Sequence, residues 1–251
     1  MSAKKVVNQI EFLYKNHGVR HFRINDDNLT LDKKRIMEIC NELIKRKLDI
    51  KWDTPSGVAL WTLDEEVIRA MKKAGYYRIT FGIESGSKSS LKYIKKNINL
   101  ERASELIDYC HKVGLWVASF FIIGFPYETK KEIKETVDYI TNSKINFPFV
   151  FVAQPYPGTE MYEDFKKEGL LEHGFEETST FILSKYHSKH FSAKELNEIR
   201  AGIYKKFYLT KLLRYMNPFI FYREFLSKVR SPEDIRYVYK IIKSLVTTFF
   251  Y

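Results

Sequence analysis

The sequence predicts an α/β fold, a parallel sheet flanked by helices, with a helical tail behind it. Two observations carry this. Between Phe12 and Thr159 a short apolar run ending in small or acidic residues alternates five times with a helix-period segment, at intervals of about 30 to 40 residues, the signature of βα units. From about Thr178 the alternation stops, and aromatic and basic residues recur at helical spacing.

The expected strands are "VRHFRINDD", "LDIKWDTPSG", "YYRITFGIESG", "LWVASFFIIGFP" and "FPFVFVAQPYPGT". Continuous apolar runs such as "SFFIIG" suit strands covered on both faces. Between them, Ile36, Ile39, Cys40, Leu43 and Ile44, and then Ala103, Leu106, Ile107 and Cys110, trace helical stripes. Helix starts are marked by "TLDKKR", "TLDEEV", "NLERAS" and "ETKKEI", where a Thr, Asp or Asn can accept from the first turn. Helix ends are expected at Gly75 and Gly114. The tail reads as three or so helices broken at Asn217-Pro218 and Ser231-Pro232.

With 251 residues and 45% hydrophobic content, the chain can bury one good core and carry an appendage. Domain boundaries are expected at 1–177 for the βα body and 178–251 for the tail. No run reaches the ~18 apolar residues that span a bilayer, and "MSAKKVVNQIEF" has no signal-peptide apolar region, so a soluble, cytoplasmic protein without a membrane span is expected. The net charge is +11, and residues from Lys185 onward contribute +9 of it, through 14 Lys/Arg and 5 Asp/Glu. Nucleic acid is not the favoured partner. Tyr204, Phe207, Tyr208 and Tyr215 more simply form the inner face of a packed helix, with Lys205, Lys206 and Lys211 solvated. Cys40 and Cys110 are expected as small core residues. His187 and His190 share a helical spacing but lack a third ligand candidate, so no metal site is expected there.

In a βα fold the residues just after each strand face the same end, and that end carries function. Here those residues are Asp26, Asp27 and Asn28; Pro55 and Ser56; Glu84 and Ser85; Gly124, Phe125 and Pro126; and Pro155 to Thr159. They are expected to line one cleft. Taken from the residues alone, Glu84 also fits a cap for the helix after "SGSKSSL", Asp26 and Asp27 a turn before "LTLDKKR", and Gly124-Phe125-Pro126 a plain turn. An aldolase-like barrel would need a lysine at a strand end, and no strand end presents one.

The runs "INDDNLT", "MKKAGYYRITFGIESGS", "GLWVASFFIIGFPYETKKEIKETV" and "QPYPGTEMYEDFKKEGLL", in this order over about residues 8 to 175, resemble the radical S-adenosylmethionine (SAM) enzymes. The closest likeness is to the cobalamin-associated branch that includes the anaerobic magnesium-protoporphyrin ester cyclases; methylthiotransferases share a related core. The resemblance implies a partial (β/α)6 TIM-like barrel that binds SAM at the strand ends and cleaves it reductively, with a [4Fe-4S] cluster, to a 5′-deoxyadenosyl radical that acts on a small-molecule substrate. It implies contacts to the methionyl amino group from Asp26, Asp27 and Asn28, and to the ribose or methionyl moiety from Glu84 with Ser85. Ile122, Gly124, Phe125 and Pro126 match the segment that flanks adenine.

The family holds its cluster with C-x3-C-x2-C after a first strand, and this sequence carries neither that motif nor that strand. Ala59 stands where relatives frequently carry arginine. The expectation is therefore the SAM-binding body of a radical SAM enzyme, incomplete by itself and not expected to cleave SAM alone. The resemblance implies that the first strand, the cysteine loop and an N-terminal domain that would bind cobalamin are either lost from this chain or carried by a companion chain. The alternative is a degenerate, non-catalytic barrel serving as a binding or scaffold protein, or a gene fragment.

Overall fold

In a computed structural model, residues 1–171 and 185–229 are described, together with 232, 234–236, 238, 239 and 243. The elements alternate as the periodicities require: α1 (Ala3–His17), β1 (His21–Arg23), α2 (Lys33–Lys45), β2 (Lys51–Asp53), α3 (Glu65–Lys73), β3 (Tyr76–Glu84), α4 (Lys88–Tyr93), α5 (Leu100–Lys112), β4 (Trp116–Ile123), α6 (Lys130–Asn142), β5 (Phe147–Val152) and α7 (Glu160–Lys167). The tail adds α8 (Ala193–Tyr215) and α9 (Pro218–Glu224). The five strands form one sheet in the order β1-β2-β3-β4-β5, and the pairs β1/β2, β2/β3 and β3/β4 are parallel. This is the strand order of an open (β/α) barrel, and a helix, α1, precedes its first strand.

Local chemistry explains the boundaries. The side chains of Asp32, Asp64 and Asn99 accept from the backbone N–H groups of Arg35, Val67 and Arg102, so three of the four expected helix starts are side-chain caps. Gly75 and Gly114 follow α3 and α5 with φ of 95° and 77°. A Cβ on Gly75 would lie 2.2 Å from the Ile50 carbonyl oxygen, so only glycine fits that close approach. The predicted stripes are the buried faces: Ile36, Ile39, Cys40 and Leu43 on α2, and Ala103, Leu106, Ile107 and Cys110 on α5. Ile44, at the end of the first stripe, is exposed instead.

By internal contacts the chain divides into two compact units, residues 1–121 with 142–149, and residues 122–141 with 150–251. The first is built on Trp52, Tyr76, Phe81, Trp116 and Phe121, all buried. Within it, Asp53 on β2 and Arg78 on β3 stand opposite each other in register and form a buried ion pair. Such a pair adds little net stability while intact and is costly to break, because the remaining charge has no water to turn to.

In the second unit, the backbone of Val150 on the outermost strand, β5, is held by two side chains of α8. The Val150 N–H donates to the Tyr204 hydroxyl at 2.9 Å, and the Arg200 Nε donates to the Val150 carbonyl at 2.8 Å. In a strand these two backbone groups point the same way, so the helix supplies the hydrogen bonds that a neighbouring strand would otherwise make. Tyr204 and Phe207 are buried on this face, Tyr208 and Tyr215 are half-buried, and Lys205 and Lys206 are exposed, as expected. Lys211 departs from the expectation of a solvated lysine: it is buried, its ammonium 5.4 Å from the centroid of the Phe207 ring, where the π face attracts a cation. The break at Asn217-Pro218 is present, with the Asn217 side chain capping α9 and Pro218 at its first position. The expected domain boundary at 177/178 and the break at Ser231 lie outside the described residues.

Tyr204→Phe keeps the ring and removes the acceptor for the buried Val150 N–H. Its unfolding free energy should fall by about 1–3 kcal/mol, the cost of an unsatisfied buried donor; urea denaturation of both proteins measures it, and equal midpoints would show that the clamp contributes nothing.

Candidate functional site

Parallel pairing sends the C-terminal ends of β1, β2 and β3 to one edge, and there the first unit holds a cavity of about 490 Å³, a size suited to a small organic ligand. Asp27 and Asn28 after β1, Ser56 and Gly57 after β2, and Glu84 at the end of β3 line it, and Lys95, Lys96 and Arg102 complete its charged wall. The segment after β2 is drawn in by the Val58 N–H donating to the Thr80 carbonyl at 2.9 Å. Gly57, at φ 90°, turns that segment past Phe120.

Glu84 is held in a strained conformation in this cavity. Its φ is 68°, in the left-handed region that bulky residues avoid. The Ser85 N–H donates to the Ile83 carbonyl at 2.8 Å, making Glu84 the centre of a three-residue turn of the rarer, strained hand. The ladder to β4 also slips at this point, between Gly82 and Glu84. Room for the carboxylate comes from Gly82, where a Cβ would lie 3.1 Å from Glu84 Oε1. Glu84 Oε1 stands 3.5 Å from Lys96 Nζ. Burial pushes the Glu84 carboxyl above its ordinary value of 4.5, and Lys96 opposes that shift. A glutamate kept in a strained turn, partly buried and aimed into a cavity by a slipped strand register is a functional candidate on geometry alone. Glu84 does not cap α4, whose N-cap is Ser87.

Of the expected site residues, Asp27, Asn28 and Glu84 are brought together in this cavity. Asp26 is not among the lining residues: its Oδ1 accepts from the Asn28 N–H at 3.0 Å, a local turn that uses its carboxylate on the backbone. Ser85 is fully buried, its hydroxyl accepting from the Ser87 N–H at 3.1 Å, so it shapes the turn instead of facing the cavity. Ile122, Gly124, Phe125 and Pro126 lie in the second unit. There Gly124, at φ 83°, donates its N–H to a buried carboxylate oxygen of Glu128 at 2.6 Å, and Pro126 accepts from the Lys189 N–H at 3.0 Å. A Cβ on Gly124 would come within 3.0 Å of both Leu196 and Val152. Glu128 and Lys96 escaped the sequence reading. The signals available were an acid four residues after a strand-end glycine, and a lysine pair directly after a short helix.

The sequence profile of the radical SAM superfamily matches residues 1–140. Among curated proteins, the chain is 32% identical to an uncharacterized methyltransferase of Pyrococcus horikoshii, over 83% of this chain and 45% of that one. It is 26% identical to the anaerobic magnesium-protoporphyrin IX monomethyl ester cyclase of Cereibacter sphaeroides, over 84% of this chain and 34% of the cyclase. It thus spans between a third and a half of the length of these relatives. Among solved structures, the radical SAM methyltransferase TsrM of Kitasatospora setae, with cobalamin and a [4Fe-4S] cluster bound, has a TM-score of 0.59 at 16% identity, over 66% of this chain and 34% of that one, a likeness of fold. The partial (β/α) barrel is therefore the fold of this chain.

The described residues do not fit a [4Fe-4S] cluster. No group of three or more His, Cys, Asp or Glu among them is placed to hold a metal ion. Cys40 on α2 and Cys110 on α5 are both fully buried, and burial pushes the Cys40 thiol up to about 12, far from the thiolate a cluster needs.

Because the left-handed turn strains any residue with a Cβ, Glu84→Gly should be more stable than Glu84→Ala by about 1 kcal/mol, the reverse of the order found in ordinary strands. Thermal or urea unfolding of the two variants decides it. Glu84 also makes stability depend on pH. A carboxyl whose folded pKa is raised above the unfolded value costs nothing while both states are protonated, and its cost grows as pH rises through the ordinary glutamate range to the raised folded value. Glu84→Gln should therefore gain stability relative to the parent as pH climbs from below 4.5 toward neutrality; a pH-independent difference would contradict this.

Proposed function

The chain belongs to the radical SAM superfamily, and on that premise we propose that it is the SAM-binding body of an enzyme that cleaves SAM reductively to a 5′-deoxyadenosyl radical. Membership implies SAM and a [4Fe-4S] cluster as cofactors. In this reading residues 1–177 are the barrel body and 178–251 its tail. The observation that carries the proposal is Glu84, held in a strained turn against the same cavity as Asp27 and Asn28.

The chemistry of these groups suits SAM. Asp27 and Asn28 offer acceptors to the methionyl ammonium, and charge-assisted bonds of this kind are the strong ones. Glu84, beside Lys96, accepts from the ribose hydroxyls or the amine. Ser56 and the backbone around Gly57 close the wall beside them. Asp26 and Ser85 act one step back, fixing the turns that present Asn28 and Glu84. The role of Ile122, Gly124, Phe125 and Pro126 beside adenine is supported by the sequence match alone. No step is assigned through the cluster, because the described residues supply no ligands for it.

That mismatch favours a division of labour: a companion segment or chain supplies the cysteine loop, and with it the cobalamin domain of this branch. A second reading, favoured by the same observation, is a non-catalytic barrel that binds ligand without cleaving it.

S-adenosylhomocysteine binding tests the site without requiring turnover. Isothermal titration should show saturable binding, weakened about fivefold or more by Glu84→Ala and by Asp27→Asn, as expected when a polar partner is removed. Unchanged affinity in both variants would remove these residues from the site. Anaerobic reconstitution with iron and sulfide separates the two readings. This chain alone should form no cluster chromophore and no 5′-deoxyadenosine, and a partner supplying C-x3-C-x2-C should restore both if the chain is catalytic.

A further inference from the structure

Beside the site lies a second, open cavity of about 550 Å³, bounded by α4, the loop after it and the start of α5. Lys88, Lys92, Lys95 and Lys96 line it, and Glu101 is the one acid in its wall. Lys95 and Lys96 line both cavities. We infer that this cavity binds the phosphoryl end of an organic phosphate, the charged part of the substrate; its role as a substrate subsite rests on the SAM reading of the neighbouring cavity.

Three observations point the same way. Lys88 and Lys92 are four residues apart on α4, so their like charges are neighbours on one helix face, a mildly destabilising arrangement that a bound anion would relieve. Among the described residues neither makes an ion pair. Lys95 sits at φ 56° directly after that helix, with the Lys96 N–H closing back on the Leu91 carbonyl at 2.9 Å. This is the left-handed capping position that glycine fills without strain, so the lysine there carries a backbone cost, as Lys47 does after α2, and Lys95 places its charge on the cavity wall.

The wall also fits an organic ligand better than a bare ion. Leu91, Ile98 and Leu100 offer apolar contact for a carbon framework, and Asn97 and Asn99 offer amides. The volume exceeds what one phosphate needs. Lys96 pairs with Glu84 at 3.5 Å and lines both cavities, so an anion in the second cavity approaches the edge of the first.

The test uses the full chain with cytidine 5′-monophosphate, cytidine and pyrophosphate as probes, cytidine being chosen so that adenine recognition does not contribute. Titration should show saturable, salt-weakened binding of the monophosphate and much weaker binding of cytidine. The double variant Lys88→Gln/Lys92→Gln should lose roughly tenfold or more in monophosphate affinity. Lys95→Gly should weaken monophosphate binding yet raise the melting temperature, because strain is relieved as charge is lost; that combination excludes misfolding as the cause. Glu84→Gln should spare monophosphate binding while weakening S-adenosylhomocysteine, so failure of the SAM reading and failure of this one are told apart. Four results would overturn the inference: no saturable monophosphate binding in the millimolar range, equal affinity for cytidine, pyrophosphate binding without the monophosphate, or monophosphate affinity unmoved by the lysine substitutions.

Discussion

Two parallel strands cannot be joined by a tight turn, so the chain must return along the outside of the sheet between each strand and the next. Everything at the site depends on that constraint. It makes each helix a return path, so α2, α3 and α5 must carry apolar stripes for their inner faces. It also sends every strand end to one edge, where Asp27, Ser56 and Glu84 meet although they are separated by 57 positions of chain or fewer. A sheet of hairpins would have scattered them over both edges.

The edge is shaped by local departures from regularity. Gly57 adopts positive φ where a side chain would be strained. Glu84 adopts positive φ without being glycine, which reverses the usual reasoning: the strain persists because the fold around it holds it, through the slipped register with β4 and the space left by Gly82. Lys95 repeats the pattern at the mouth of the second cavity. Glu84 and Lys95 are thus two charged residues in the conformation glycine prefers, and both line the same cavity. The buried Asp53–Arg78 pair belongs to the scaffold and joins β2 to β3 just below that edge.

At the other margin of the sheet, β5 ends the order, and its backbone at Val150 is satisfied by side chains instead of by another strand. The tail is thus more than a basic appendage: Arg200 and Tyr204 make α8 part of the structure of the second unit. Lys211 illustrates the same point, since a lysine that spacing assigns to solvent is folded over an aromatic ring.

The sequence by itself determined the five strands, the helix stripes, most caps and the family, because periods of 2 and 3.6 and the turn chemistry of Gly, Asp and Asn are local properties of the chain. It also placed Asp27, Asn28 and Glu84 at strand ends. Only the tertiary structure decided which strand-end groups face the cavity. Asp26 and Asp27 are adjacent and chemically equivalent in the sequence, yet one closes a backbone turn and the other lines the site. Arg200 was illegible for a related reason: its partner, the Val150 carbonyl, stands 50 positions away in the chain, an approach no local pattern encodes. Lys96 and Glu128 carried local signals, but those signals name no partner; the fold sets Lys96 against Glu84 and Glu128 against Gly124, and a lone charged residue in a sequence carries no record of what will stand opposite it.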